Sequence, residues 1–242
     1  MSRRVVTLSI LNCSLIVGLV CTAAFSVSGQ QPAKAPEGAP KEGKGKGKGP
    51  ARPPLFLREE WKQTPAGGEH AVVPESVGNP DLVLNMMGPT AKELLLTGAA
   101  GDESNPTHIW TGMCTSPCAF TFRHKTNFAD LTGLARIRLV SKTSGFHQIR
   151  PLIKLADGTW LAGDRTDGSL TDWIESEFPV SDVRWLKIDP ARMVTTGTWV
   201  NNPDLSKVDE IGFVDLMPSS GHGQGGWSDV GKVEVFAKSI AR

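Results

Sequence analysis

Cys114 and Cys118 stand four residues apart in "WTGMCTSPCAFTFRHK" (110–125), a spacing that serves a metal site, a redox pair or a disulfide. Copper sites of the C-x-x-x-C kind add a histidine at fixed spacing and usually a methionine. Here His124 lies six residues past Cys118, outside the dinuclear pattern C-x-x-x-C-x-x-x-H. Met113, as the strand neighbour of Cys114, points the opposite way. In an oxidising compartment the simplest outcome is a bond between the two thiols. A straight strand would hold their Cα atoms roughly 13 Å apart, about twice what a disulfide spans. The chain must therefore turn between them, and Ser116-Pro117 is turn chemistry. Closing so short a loop stabilises the fold by about 2 kcal/mol. The pair reads as a disulfide, with no metal assigned to it.

Paired carboxylates are the next chemistry to weigh. Glycoside hydrolysis needs two of them across a cleft, and no E-x-D-x-E strand of the concanavalin-like hydrolases occurs here. Glu175 and Glu177 share a strand face but read as solvated, and Asp209, Glu210 and Asp215 read as turn and edge charges. β-Sandwich lyases commonly pair a tyrosine with a histidine or lysine, and this chain has no tyrosine. A histidine or lysine base with Arg123, His124, Arg150 or Lys154 neutralising a uronate keeps a lyase as the enzymatic alternative. "GHGQGG" (221–226) matches G-x-G-x-x-G in form only, because no helix follows it, so it reads as a loop near a binding edge.

Sugar-binding sandwiches stack flat aromatic faces on pyranose rings and bracket hydroxyls with polar side chains. The seven tryptophans all lie between Trp61 and Trp227. Trp61 and Trp173 read as core. Trp160, just past the Asp157-Gly158 turn, and Trp227, in a Gly-rich stretch, are the expected platforms; Trp110, Trp185 and Trp199 have no placement from sequence. The polar ligand-binding set is Arg123, His124, Arg138, His147 and Arg150, on neighbouring strands, with Arg123 facing opposite to His124. A structural calcium would have Asp130 as a ligand, but no dense Asp/Asn loop accompanies it. No cofactor and no catalytic residue are assigned.

These residues need elements to hold them. Arg3 and Arg4 precede an apolar run over residues 5–27 that ends in Val27-Ser28-Gly29, the form of a cleaved export signal. Cleavage there removes Cys13 and Cys21 and leaves Cys114 and Cys118. Residues 30–54 are Pro, Gly, Ala and Lys with no large apolar side chain, and carry six basic against two acidic groups; they read as a disordered tether. Residues 55–242 hold 18 basic and 23 acidic residues, a balance that argues against nucleic acid as a partner. That span is one domain able to bury a sizeable core. Its apolar runs are short, often alternating, and broken by Gly or Pro, with no helical pattern lasting three turns. "ARIRLVSK" (135–142) puts Ile137 and Leu139 on one face and Arg136, Arg138 and Val140 on the other. Asp157-Gly158 between "IRPLIKLA" and "TWLAG" is a hairpin signal. "NPDL" at 79–82 and 202–205 reads as two strand entrances. Ten or so such strands predict an all-β, antiparallel β-sandwich.

The order of "FADLTGLARIRLVSKTSGFHQIRPLIKLADGTWLAGD", "DWIESEFPVSDVRWLKID", "PDLSKVDEIGFVDLM" and "KVEVFAK" resembles the galactose-binding-like jelly rolls. These occur in carbohydrate-binding modules and in the complex I intermediate-associated domain. The order is similar also to that of exported bacterial proteins carrying the same blocks. The resemblance covers residues 108–238 and implies a jelly roll; the fold itself carries many functions. The expectation is an exported, periplasmic or extracellular glycan-binding protein without catalysis. The alternatives are an enzyme on an acidic polysaccharide, lyase before hydrolase, and a structural module that binds another protein.

Overall fold

The computed structural model describes residues 51–64, 67–168, 171–221 and 225–242. The expected export signal, residues 30–50 of the expected tether, and His222 with its two following residues lie outside them. In chain order the strands are β1 (Leu55–Glu60), β2 (His70–Ala71), β3 (Leu82–Met87), β4 (Leu95–Thr97), β5 (His108–Trp110) and β6 (Cys118–His124). Then come β7 (Asn127–Asp130), β8 (Arg136–Thr143), β9 (Gln148–Leu155), β10 (Trp160–Gly163), β11 (Asp167–Gly168) and β12 (Ile174–Pro179). The last are β13 (Trp185–Asp189), β14 (Val194–Val200), β15 (Val208–Asp215), β16 (Ser228–Phe236) and β17 (Lys238–Ala241). Among the described residues the only helical pieces are three single 3₁₀ turns.

A seven-stranded sheet runs β12-β8-β16-β5-β4-β2, with β1 also on β16. A ten-stranded sheet runs β14-β13-β10-β9-β15-β6-β3, with β7, β11 and β17 attached. Every strand pairing is antiparallel, so the architecture is the two-sheet sandwich that the resemblance implies. The β9–β10 hairpin turns at Asp157-Gly158 as its sequence predicts. Gly158 has φ +89°, a conformation that a side chain would strain, and the Asp157 carboxylate accepts the Thr159 N–H at 2.8 Å. β3 begins at the last residue of the first "NPDL" and β15 shortly after the second; Asp81 N–H donates to the Asn79 side chain at 2.9 Å, and Asn202 takes φ +51°.

The main core fills the space between the sheets. β8 alternates strictly, and its buried Ile137 and Leu139 meet Val233 and Val235 of β16 in that core. Trp61, just beyond β1, crosses to the other sheet and packs on Phe120 and Phe122 with ring centroids 5.4 and 5.3 Å away. Its indole N–H donates to the Val230 carbonyl at 2.8 Å, which satisfies the one polar atom of a buried ring. Each such side chain contributes roughly 1.5–3 kcal/mol by leaving water.

β6 does not alternate: Cys118 to Phe122 are all buried. Phe120 and Phe122 face the main core, whereas Ala119 joins a second cluster with Leu152, Ala162, Ile188, Met193 and Val214. Met193, at the tip of the β13–β14 hairpin, is fully buried over that outer face. A strand covered on both sides reads as a continuous apolar run.

Cys114 and Cys118 are joined by a disulfide across a Cα separation of 6.3 Å. The turn at Ser116 is fixed by its neighbours: the Thr90 hydroxyl donates to the Ser116 carbonyl at 3.0 Å.

Candidate functional site

The seven residues that sequence nominates for binding go to separate places. Arg138 lies on the outer face of the seven-stranded sheet and is consumed there. It donates to Glu177 at 2.8 Å and to Glu234 at 3.1 Å, and Glu234 also takes Arg58 at 2.7 Å. Arg123 is on the outer face of the other sheet, paired with Asp209 at 3.3 Å. His124 faces the opposite way, as the alternation requires, and packs on Phe56 at 5.3 Å. Trp160 is half-buried against the second cluster with Lys154 5.5 Å from its ring centre. Arg150 and Trp227 each line a cavity, and the two cavities are different. Asp130 spends its carboxylate on Thr132 N–H at 3.0 Å and the Thr132 hydroxyl at 2.5 Å. Among the described residues no group of three His, Cys, Asp or Glu side chains is placed to hold a metal ion.

His147 is buried, with Nδ1 2.7 Å from Asp215 Oδ2. The same oxygen accepts the Ser228 hydroxyl at 2.9 Å and the Thr111 hydroxyl at 3.1 Å. Ser, His and Asp thus meet, but the serine donates to the carboxylate and not to the imidazole, so no hydroxyl is activated. This hub ties β15 of one sheet to β16 of the other. Glu210 is equally buried and accepts Lys154 at 3.0 Å, Thr121 at 2.6 Å and Asn85 at 2.9 Å. Both carboxylates were expected at turns and edges. Their partners come from strands distant in sequence, which is why burial is tolerated. Trp173 also departs from expectation: it is half-buried outside the core, edge-on to His108 at 4.9 Å.

Two regions have open space beside an aromatic ring. The first surrounds Trp199 on β14, a residue that is 46% exposed. It stands between a groove of about 760 Å³, lined by Arg184, Asn201, Asn202 and Leu205, and a cavity of about 330 Å³ beside Arg150 and Asp164. Arg184 lies 4.7 Å from the ring centre on one face. Asp164 holds that arginine by accepting its backbone N–H at 2.8 Å and its Nε–H at 2.7 Å. Partial burial raises the Asp164 pKa, but the hydrogen bonds and charge of Arg184 outweigh it and keep the carboxyl below its ordinary range. Arg150 is braced by Gln148 at 3.1 Å. The guanidinium groups are therefore oriented, with spare N–H donors along an indole.

The second region is a pocket of about 290 Å³ at the β4–β5–β16 part of the seven-stranded sheet, lined by Glu69, Asn105, His108, Trp110, Trp227 and Asp229. Trp110 depends on Gly112, where an added methyl would lie 1.9 Å from the indole Cζ2. Asp229 is 4% exposed, and its Oδ1 accepts no hydrogen bond within the protein. His108 Nε2 is 3.6 Å from that oxygen. The His108 Nδ1 sits 2.6 Å from the Pro106 carbonyl and donates to it, so in the neutral ring Nε2 is the bare acceptor. Burial, reinforced by the Lys142 charge, pushes the His108 pKa down to about 4. Burial also raises the Asp229 carboxyl to about 7, against the opposing pull of Lys142 and the Trp227 indole. Between these values both groups are neutral, and the contact is not an ion pair.

Sequence pattern missed His108, Trp110, Asp229 and Trp199. No period-two signal reaches Asp229, because the register of β16 shifts between Val230 and Val233.

No protein-family model matches the chain, and no curated protein matches it. Among solved structures it is similar to the family 11 carbohydrate-binding module of the cellulosomal cellulase Lic26A-Cel5E of Clostridium thermocellum. The identity is 14% over 72% of this chain and 96% of that one, with a TM-score of 0.39. The Clostridium thermocellum family 11 module in complex with a β-1,3-1,4-mixed-linked tetrasaccharide gives 14% identity, 73% and 99% coverage and a TM-score of 0.40. An exo-β-agarase gives 11% identity over 68% of this chain but 24% of the enzyme, at a TM-score of 0.34. At these identities and TM-scores the likeness transfers no ligand and no site residue.

Proposed function

We propose that this domain binds a glycan chain along the Trp199 ridge, without turnover, and does so after export from the cytoplasm. The observation that carries the reading is an exposed indole set between two open grooves and flanked by guanidinium and amide groups. A pyranose stacks its C–H face on such a ring, and Arg150, Arg184, Asn201 and Asn202 supply donors for its hydroxyls or for a carboxylate. The reading of binding alone is supported by the lining: the one carboxylate there, Asp164, is committed to Arg184. A hydrolase needs a second carboxylate and a lyase needs a base, and among the described residues neither lines these grooves. Export is supported by the basic and apolar start of the chain and by the disulfide. No helix among the described residues is long and apolar enough to cross a membrane.

The test is affinity electrophoresis through gels containing a neutral β-glucan or polygalacturonate. The wild type should be retarded by at least one of them, and Trp199→Ala should lose the retardation while keeping its thermal midpoint. Equal retardation of both proteins, or none of either, would sink the proposal. New absorbance from unsaturated uronate ends would replace binding by lyase action.

A further inference from the structure

From the pocket of Trp110, Trp227, His108 and Asp229 we infer a second ligand site, one that takes an organic ammonium group such as that of an amino sugar or a choline-type head group. It stands apart from the Trp199 ridge, since it belongs to the other sheet. Four features point to a cation. The walls are two indoles, whose faces attract ammonium groups. Among the described residues the charged side chains lining it, Glu69 and Asp229, are both acidic. The Asp229 carboxylate is almost wholly buried with one oxygen unpaired, a costly arrangement that a ligand donor or charge would relieve. His108 presents its acceptor nitrogen and not a proton. Among the described residues the one cation bearing on Asp229 is Lys142, its register partner on β8, which forms no ion pair with it. At about 290 Å³ the space suits one head group or one sugar ring.

The chemistry predicts a proton balance. With its pKa near 7, Asp229 is largely protonated at pH 6 in the free protein. A bound ammonium favours the carboxylate, so the carboxyl proton leaves to solvent as the ion pair forms. Choline is the informative probe because its charge is permanent and it takes up no proton of its own.

Titration calorimetry of the full protein with choline chloride at pH 6, in buffers of different ionisation enthalpy, should show release of most of one proton per choline bound. That release should vanish by pH 8.5. Asp229→Asn should weaken binding at least 10-fold, and Trp227→Ala, which leaves Asp229 in place, should weaken it as well. Glucosamine binding more tightly than choline would assign the site to an amino sugar, and the reverse order to a quaternary head group. Three results would overturn the inference: no binding of either at millimolar concentration, N-acetylglucosamine binding as well as glucosamine, or choline binding with no proton released.

Discussion

Asp229 and His108 carry opposite pH dependences that should cancel in the wild type and reappear when either is removed. Asp229 rises from 3.8 to about 7 on folding. Its stabilising effect is complete below pH 3.8 and is lost as pH climbs through 7, a change of roughly 4 kcal/mol at 1.36 kcal/mol per unit. His108 falls from 6.5 to about 4. Its effect is complete above pH 6.5 and is lost as pH drops through 4, a change of roughly 3 kcal/mol. Between pH 4 and 6.5 the folded protein holds a proton on Asp229 that the unfolded chain would release, and lacks one on His108 that the unfolded chain would bind. The two slopes therefore offset each other. The His108 shift arises from burial and Lys142, neither of which Asp229→Asn removes. Urea unfolding followed by tryptophan fluorescence across this range reads the effect directly. Relative to wild type, Asp229→Asn should gain roughly 3 kcal/mol from pH 4 to 7, and His108→Gln should lose roughly 3 kcal/mol from pH 4 to 6.5. Reading slopes avoids the constant cost of each substitution. Difference curves flat to within about 1 kcal/mol would refute the assignment of two buried, neutral groups.

Two further outcomes are expected from the same structure. Replacing both Cys114 and Cys118 by serine should cost about 2 kcal/mol in urea unfolding, and mass analysis without reductant should find both wild-type thiols closed to alkylation. Asp215→Ala should cost on the order of 3–5 kcal/mol, because His147, Thr111 and Ser228 lose a shared buried acceptor; a loss below 1 kcal/mol would show that the hub is not structural.

What the sequence disclosed was local. The alternation of β8, the Asp157-Gly158 turn and the cysteine spacing each depend on neighbours a few residues apart, and each appears in the structure as expected. β13 and β14 carry little strand signal of their own, because "WLKID" is short and "VTTGTWV" is interrupted by Gly197. With them went Trp199, whose exposure is decided by how its hairpin lies over the ten-stranded sheet. Asp229 was hidden by the irregular pairing between Val230 and Val233, which breaks the period-two pattern before it reaches the pocket. Arg123, His124, Arg138, His147 and Arg150 sit on consecutive or neighbouring segments of chain, yet β6 and β9 belong to one sheet and β8 to the other. Proximity along the chain is a poor guide to proximity in a sandwich, where successive strands cross between layers.

The place where the chain enters the sandwich has a practical side. Pro54 accepts the Ala237 N–H at 3.0 Å, and Leu55 pairs with Phe236. Asp229 lies toward the far end of that same β16 strand, roughly 23 Å away. A fluorophore, surface anchor or fusion partner joined ahead of residue 51 therefore attaches at the opposite pole and leaves the acidic, indole-walled mouth unobstructed.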